Sequence, residues 1–154
     1  MADTQRYRTG SISEVKGRVR AGVAAQVGDL CALVSGKVET FASSTLTSAT
    51  FRTSFLGVLV QGATRGTETV DPTCLLYTEG EFEYPLSATA AAVVDVGGLV
   101  AATANQIVAT GAVLGAAGTG TAIGRLARTV QIGDTTAIVK ITSVVALGGP
   151  QPLT

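Results

Sequence analysis

The 154-residue sequence contains no histidine or tryptophan, and it is poor in charged residues, aromatic side chains and cysteine. Histidine is the commonest general base and a frequent metal ligand, and without it no Ser–His or Cys–His pair can form. Lysine plus arginine and aspartate plus glutamate number 11 each, so no net charge attracts nucleic acid or a membrane surface. We therefore expect a protein that is not an enzyme, with no cofactor, no metal ion and no nucleic-acid or membrane partner.

Two cysteines are too few for a disulfide framework. Cys31 and Cys74 each lie in an apolar run typical of a strand, which favours buried free thiols over a disulfide. Residues 97–124 contain no charge, but glycine, threonine, Asn105 and Gln106 interrupt them, which argues against a membrane span. The first residues lack the apolar core of a signal peptide, so we expect an intracellular product.

Glycine and short alternating apolar runs are the strongest positive signals. Nineteen glycines exceed the average usage of roughly 7%. Residues 122–145 predict a β-hairpin whose turn, residues 131–134, places Gly133 at a positive φ. The phrase QVGDLCALV at residues 26–34 matches QIGDTTAIV at residues 131–139 at its Gln, Gly, Asp, Ala and Val positions. We interpret these phrases as two similar turn-plus-strand units that close one β domain.

The same patterns predict further strands. Residues 30–34 and 38–42 predict a hairpin, and residues 43–53, rich in serine and threonine, predict a loop. Residues 55–60 are apolar on both faces, which predicts a central strand in which Gly57 marks a bulge or a close backbone approach. The predicted core comprises Leu30, Leu33, Val34, Leu56, Val58, Val60, Leu76, Phe82, Ile123, Val139 and Ile141.

An acidic segment occupies the middle of the chain. Residues 74–84 predict a hairpin that turns at Gly80, next to Glu79. Glu81 and Glu83 are two residues apart on the second strand, so their side chains share one face. Like charges on one strand face are typical of a solvated or partner-facing surface rather than of a catalytic carboxylate pair.

The first residues differ in composition from the rest. Residues 1–20 carry five basic and two acidic side chains but few apolar ones, which predicts an extended N-terminal arm. The alternatives are a disordered terminus or a first edge strand over residues 12–19. A single β domain, a small β-barrel or β-sandwich, follows over residues 21–147, and residues 148–154 form a tail. The candidate binding residues of the arm are Arg6, Tyr7, Arg8, Ile12, Arg18 and Arg20.

Three phrases occur in order along the chain. They are GVAAQVGDLCALVSGKVETF (residues 22–41), FLGVLVQGA (55–63) and AIGRLARTVQIGDTTAIVKI (122–141), with the basic start before them and the acidic segment between the last two. This arrangement, over roughly residues 20–145, resembles the small capsid decoration, or cement, proteins of tailed bacteriophages. The shared positions are glycines and core residues, so no binding residue can be transferred individually.

The resemblance implies a compact, all-β, non-enzymatic virion protein. Such a protein is made in the host cytoplasm, binds the major capsid protein on the outer surface of the head, commonly as a homotrimer, and stabilises the shell. Charged residues make up only 14% of the chain, and such a surface is also expected to be buried in an assembly. The alternative function is a receptor- or glycan-binding β module of a head or tail fibre, which exposed aromatic side chains would favour.

Overall fold

The computed structural model describes residues 13–44, 46–110 and 122–143. Strands make up about 51% of the chain and helix about 4%, which confirms the all-β class. Most of the predicted arm, residues 1–12, and the predicted tail, residues 148–154, lie outside the described residues.

The first half of the chain forms a curled antiparallel sheet. Its strands are β1 (Glu14–Arg18), β2 (Ala24–Ala25), β3 (Leu30–Val34), β4 (Lys37–Thr40), β5 (Phe55–Gln61), β6 (Thr64–Arg65) and β7 (Thr73–Tyr77), with the helix α1 (Ser48–Ser54) before β5. The sheet order is β1-β7-β5-β3-β4, and β2 pairs with β6 in a short ribbon. The edge strands meet because Val19 and Val38 form a parallel bridge, and the Arg20 amide donates to the Val38 carbonyl at 3.0 Å.

The second half forms another curled sheet. Its strands are β8 (Glu81–Pro85), β9 (Leu99–Ala104), β10 (Ile107–Thr110), β11 (Ala122–Leu126) and β12 (Thr136–Ile141). Their order is β8-β12-β11-β9-β10. A parallel bridge between Leu86 and Val108 joins the edges, and the Ser87 amide donates to the Val108 carbonyl at 2.8 Å.

The two halves are repeats of one topology. Leaving the short ribbon aside, the first strand of each half pairs with the fifth, the fifth with the fourth, the fourth with the second and the second with the third. The registers also agree, because Cys31 lies opposite Gly57 as Val100 lies opposite Gly124. We call residues 13–78 repeat 1 and residues 80–143 repeat 2, and residues at the same place in the two sheets are called equivalent. The predicted β region is therefore a tandem pair.

Two predictions about strand pairing need correction. The predicted hairpin over residues 74–84 is wrong, because β7 pairs with β1 and β5 whereas β8 pairs with β12, and Glu79 links the repeats. Alternation along a strand shows which side chains share a face but not which strand lies beside it. The assignment of residues 14–18 to an arm is also wrong, since they form the edge strand β1, as the edge-strand alternative had it.

The matching Gly-Asp phrases form matching turns at different places. Asp29 and Asp134 each donate an amide to a Gln carbonyl three residues earlier, at 3.1 Å, and each carboxylate accepts from that Gln amide. One turn precedes β3, the second strand of its repeat, whereas the other precedes β12, the fifth. In repeat 2 the equivalent of the first turn is residues 95–98, where the Gly98 amide donates to the Asp95 carbonyl at 3.0 Å.

The last strands confirm the predicted C-terminal hairpin, with shorter strands. β11 pairs with β12, and Gly133 takes a φ of 94° in the connection. The predicted 30–34/38–42 hairpin is also confirmed, as β3 and β4. β5 is the central strand of its sheet, and Gly57 has a φ of 153° with a register shift beside it, as predicted.

The predicted loop over residues 43–53 is wrong in its second part, which is α1. Thr47 caps the helix. The Thr50 amide donates to the Thr47 hydroxyl, and the Thr47 amide donates to the Thr50 hydroxyl. Threonine thus takes the place of the glutamate that usually signals such a box. Phe51 on α1 is buried between Phe41 and Phe55, with ring centroids 4.9 and 5.8 Å away.

Two apolar clusters form the core. One fills repeat 1, and the other joins the interior of repeat 2 to α1 and the outer face of β3 and β5. Most of the predicted core is buried, but Val34 and Val60 are half-buried and the prediction is wrong for Leu33, which is 41% exposed. Leu33 lies next to the β3–β4 hairpin tip, where the sheet ends in solvent.

Candidate interaction surface

The structure describes two of the six candidate arm residues, and it places them differently. Arg18 is exposed on β1, whereas Arg20 is half-buried, pairs with Glu39 and donates to the Val34 carbonyl at 2.8 Å. Arg20 therefore holds the end of β1 to the β3–β4 hairpin. Arg6, Tyr7, Arg8 and Ile12 lie outside the described residues.

A second ion pair lies beside the first. Lys37 Nζ is 2.6 Å from an Asp71 carboxylate oxygen, and the Ala21 amide donates to that carboxylate at 2.8 Å. The hydrogen bond from Lys37, followed by that from Ala21, lowers the pKa of Asp71. These contacts tie the β3–β4 hairpin to the segments that flank β1 and β7.

The outward face of β1 is charged. Glu14, Lys16 and Arg18 alternate with Val15 and Gly17 along the strand, and all three charged residues are exposed. Val15 packs against the interior cluster of repeat 1, so the charged side faces solvent. Two of the three charges are positive, and in the sequence this strand follows the basic residues Arg6 and Arg8.

The predicted acidic face is placed on β8 in repeat 2. Glu79, Glu81 and Glu83 are all half-buried. Glu81 lies opposite Lys140 of β12 in the antiparallel register, whereas Glu83 lies opposite Ile138. Opposite charges facing each other across two strands stabilise the pairing, which gives Glu81 a structural role.

The repeats contact each other through the tip of the β9–β10 hairpin. Gln106 is fully buried, and its Nε2 donates to the Asp29 carboxylate at 2.8 Å. The Leu30 amide donates to the Asn105 carbonyl at 2.8 Å, and the Ala42 amide donates to the Asn105 side chain at 2.7 Å. Within the same junction the buried hydroxyl of Tyr84 donates to the Gly28 carbonyl at 2.7 Å.

Five large apolar side chains in the described residues are exposed, and sequence reasoning missed them as a group: Leu33, Val70, Val93, Val96 and Ile132. Val93, Val96 and Ile132 belong to two segments of repeat 2 that are joined by hydrogen bonds between Val94 and Val130 and between Ala90 and residues 133–134. We call these three residues the apolar ribbon. Val96 and Ile132 each precede a turn glycine of positive φ. This repeated apolar-glycine pair is the sequence signal that could have identified them as exposed.

The described residues offer little that suggests catalysis. They contain no group of three or more Cys, Asp or Glu side chains placed to hold a metal ion. Cys31 and Cys74 are buried and free, as predicted, and burial raises the pKa of both thiols. Neither thiol therefore has the exposed, acidic character of a reactive cysteine.

Comparison with known proteins adds no family to this description. The chain matches none of the protein-family models and none of the curated proteins against which it was compared. Among the helices that the structure describes, none has the length and apolar character that a membrane span requires.

Proposed function

We propose that this protein is a capsid decoration protein that binds the major capsid protein on the outer surface of a phage head and stabilises the shell. The proposal includes self-association, with a homotrimer as the expected state. The sequence resemblance motivates the proposal, and the all-β fold agrees with it. A protein that binds only the assembled shell stabilises it by its binding free energy, multiplied over many sites.

The observation that best supports a binding role is the charged outer face of β1. Lys16 and Arg18 are exposed on an edge strand, immediately after the segment that carries Arg6 and Arg8. We place the capsid contact on this face and on residues 1–12. Arg20 is left out because Glu39 and the Val34 carbonyl already bind its guanidinium.

The fibre alternative receives less support from the described surface. Phe51, Phe55, Phe82 and Tyr84 are buried, and Phe41 and Tyr77 pack against the core cluster. Exposed aromatic rings would favour a glycan site, and the exposed large apolar side chains among the described residues are all aliphatic. Binding to host glycans remains an outcome of the test.

The test is co-sedimentation with heads of the phage whose genome carries the coding sequence, followed by electron microscopy. We expect binding to expanded heads and none to host glycans. The variant Arg18→Ser should weaken binding about fivefold, the value of one exposed ion pair, and deletion of residues 2–12 should weaken it further. Both losses should shrink at about 1 M salt, where charges are screened beyond about 3 Å.

The variant Arg65→Ser is the matched control, because it removes an exposed arginine from β6, which pairs with β2 in a different sheet from β1. It should bind heads as the unmodified protein does. Failure of the unmodified protein to bind heads would refute the proposed function. Normal binding by Arg18→Ser and by the deletion would refute the placement of the contact. Capture by host glycans instead of heads would favour the fibre module.

A further inference from the structure

One end of repeat 1 is open at the position where repeat 2 is buried. In repeat 2 the hairpin tip, Asn105 and Gln106, sits on repeat 1. The equivalent tip in repeat 1 is Ser35 and Gly36, which are exposed. Leu33 occupies the place of Ala102, since each lies opposite the valine that forms the closing bridge of its sheet. Leu33 is 41% exposed, whereas Ala102 is 1% exposed.

The receiving surface shows the same asymmetry. The turn at residues 26–29 in repeat 1 is covered, because Gln106 donates to the Val27 carbonyl as well as to Asp29. None of the described residues covers the equivalent turn in repeat 2, residues 95–98, in this way, and Val96, the equivalent of Val27, is 63% exposed. Val93 and Ile132 extend this uncovered surface along the apolar ribbon.

Side-chain sizes at the two surfaces also match. In the covered junction the large Tyr84 reaches the Gly28 carbonyl, and the small Val58 lies in the same buried cluster. Tyr84 is equivalent to Gly17, and Val58 is equivalent to Arg125. Arg125 Nη1 donates to the Gly97 carbonyl at 2.8 Å. Gly97 is the equivalent of Gly28, so a side chain of the same repeat makes the bond that Tyr84 makes from the other repeat. In the covered junction the large residue, Tyr84, is on the docked end of repeat 2 and the small one, Val58, is on the receiving surface of repeat 1. At the two uncovered surfaces the order is reversed, because Gly17 is on the open end of repeat 1 and Arg125 is on the receiving surface of repeat 2.

We propose that the open end of repeat 1, formed by Leu33, Ser35 and Gly36, docks on the apolar ribbon of repeat 2 in a second copy of this chain. Four of the five exposed large apolar residues lie on these two surfaces, and the contact continues the one that already joins the repeats. The two surfaces differ, so the contact is head-to-tail and builds a ring if the rotation closes or a filament if it does not. The inference does not depend on capsid binding.

The oligomeric state in solution tests the proposal. Sedimentation velocity of the full chain should show assembly at concentrations up to about 100 µM, a range that covers micromolar contacts. The variants Leu33→Asp and Val96→Asp each place a charge in the contact, so each should weaken association at least tenfold, on the order expected for an unpaired buried charge. Ala63→Asp is the control, because Ala63 is an exposed residue between β5 and β6 and belongs to neither of the two surfaces.

Mixing the two variants distinguishes this contact from a symmetric one. Leu33→Asp keeps an intact ribbon and Val96→Asp keeps an intact open end, so the mixture should form a heterodimer and nothing larger. A monomeric unmodified protein would overturn the proposal, as would association that neither variant weakens. A mixture that stays monomeric would overturn it too, because a symmetric contact is lost in both variants. Circular dichroism checks that each variant is folded.

Discussion

Repeat 1 and repeat 2 share their backbone contacts but fill their interiors differently. Gly17 lies opposite Cys74 in repeat 1, whereas the equivalent Tyr84 lies opposite Ala137 in repeat 2. The closing bridge, the turn before the second strand and the strand glycine occur in both. A few shared backbone contacts therefore specify this topology. The large side chain of an interior pair can come from either of the two neighbouring strands.

The outer faces of the repeats differ more than the interiors do. Leu30, Ala32 and Val58 of repeat 1 belong to the cluster buried against repeat 2. In repeat 2 the place of Val58 is taken by the exposed Arg125. The outer face of repeat 1 therefore forms the junction between the repeats. The equivalent face of repeat 2 stays on the surface, where a partner can bind.

The strand glycines offer the most disruptive test of the shared backbone. A Cβ added at Gly57 would lie 2.2 Å from the Tyr77 carbonyl oxygen, and one added at Gly124 would lie 2.2 Å from that of Lys140. Each change to alanine must push two paired strands apart, so we expect each to cost about 3 kcal/mol in urea unfolding. Gly57→Ala should cost about 1 kcal/mol more, because only Gly57 also has a positive φ.

The control for the two glycines is Gly22→Ala. Gly22 has a φ of 86° with nothing within 4 Å of an added Cβ, so this change should cost only the conformational penalty, about 1 kcal/mol. If Gly124→Ala were as stable as the unmodified protein, the close approach would not be a shared requirement of the repeats.

The junction between the repeats gives an intermediate effect. Tyr84→Phe removes the hydroxyl that donates to the Gly28 carbonyl and leaves that buried carbonyl without this donor. We expect a loss of about 1–2 kcal/mol in the free energy of unfolding, measured by urea titration. Tyr77→Phe is the control, because Tyr77 is half-buried and packs against the same core cluster as Tyr84. An equal loss in both variants would argue against a special role for the junction bond.

Sequence reasoning identified local features well. The fold class, the C-terminal hairpin, the central strand with Gly57 and the two free thiols follow from alternation and glycine placement, which are local properties. It failed where a partner is distant. Nothing in residues 74–84 shows that β7 and β8 pair with strands at the opposite ends of their repeats.

The duplication was hidden because equivalent residues are seldom identical. The spacing between equivalents also varies, since Cys31 and Val100 are 69 residues apart whereas Cys74 and Ala137 are 63 apart. The clearest phrase match, at the two Gly-Asp turns, joined positions that are not equivalent. A better signal was the pattern Val-Gly-x-Leu-x-Ala, which starts at Val27 and again at Val96. The candidate surface was missed because exposure of Leu33 or Val96 depends on what the other repeat covers.

The ion pair of Lys37 and Asp71 gives the smallest expected effect, because both side chains are partly exposed. The pKa of Asp71 is lowered in the folded protein, so the unfolded chain binds more protons there as the pH falls. The pair therefore stabilises the fold at pH above the ordinary aspartate pKa of about 4, and this contribution is lost as the pH falls through the lowered value. Asp71→Asn should unfold slightly more easily than the unmodified protein at pH 7, with the difference vanishing in acid.

Two further variants serve as controls for the Lys37–Asp71 pair. Lys37→Met should show the same loss of stability at pH 7. Asp134→Asn, at the equivalent position in repeat 2, should show a smaller loss, because its side-chain oxygen can still accept from the Gln131 amide and it breaks no ion pair with a lysine of the described residues. A difference for Asp71→Asn that persisted at pH 2 would mean that its carboxylate charge is not what binds the hairpin to β1.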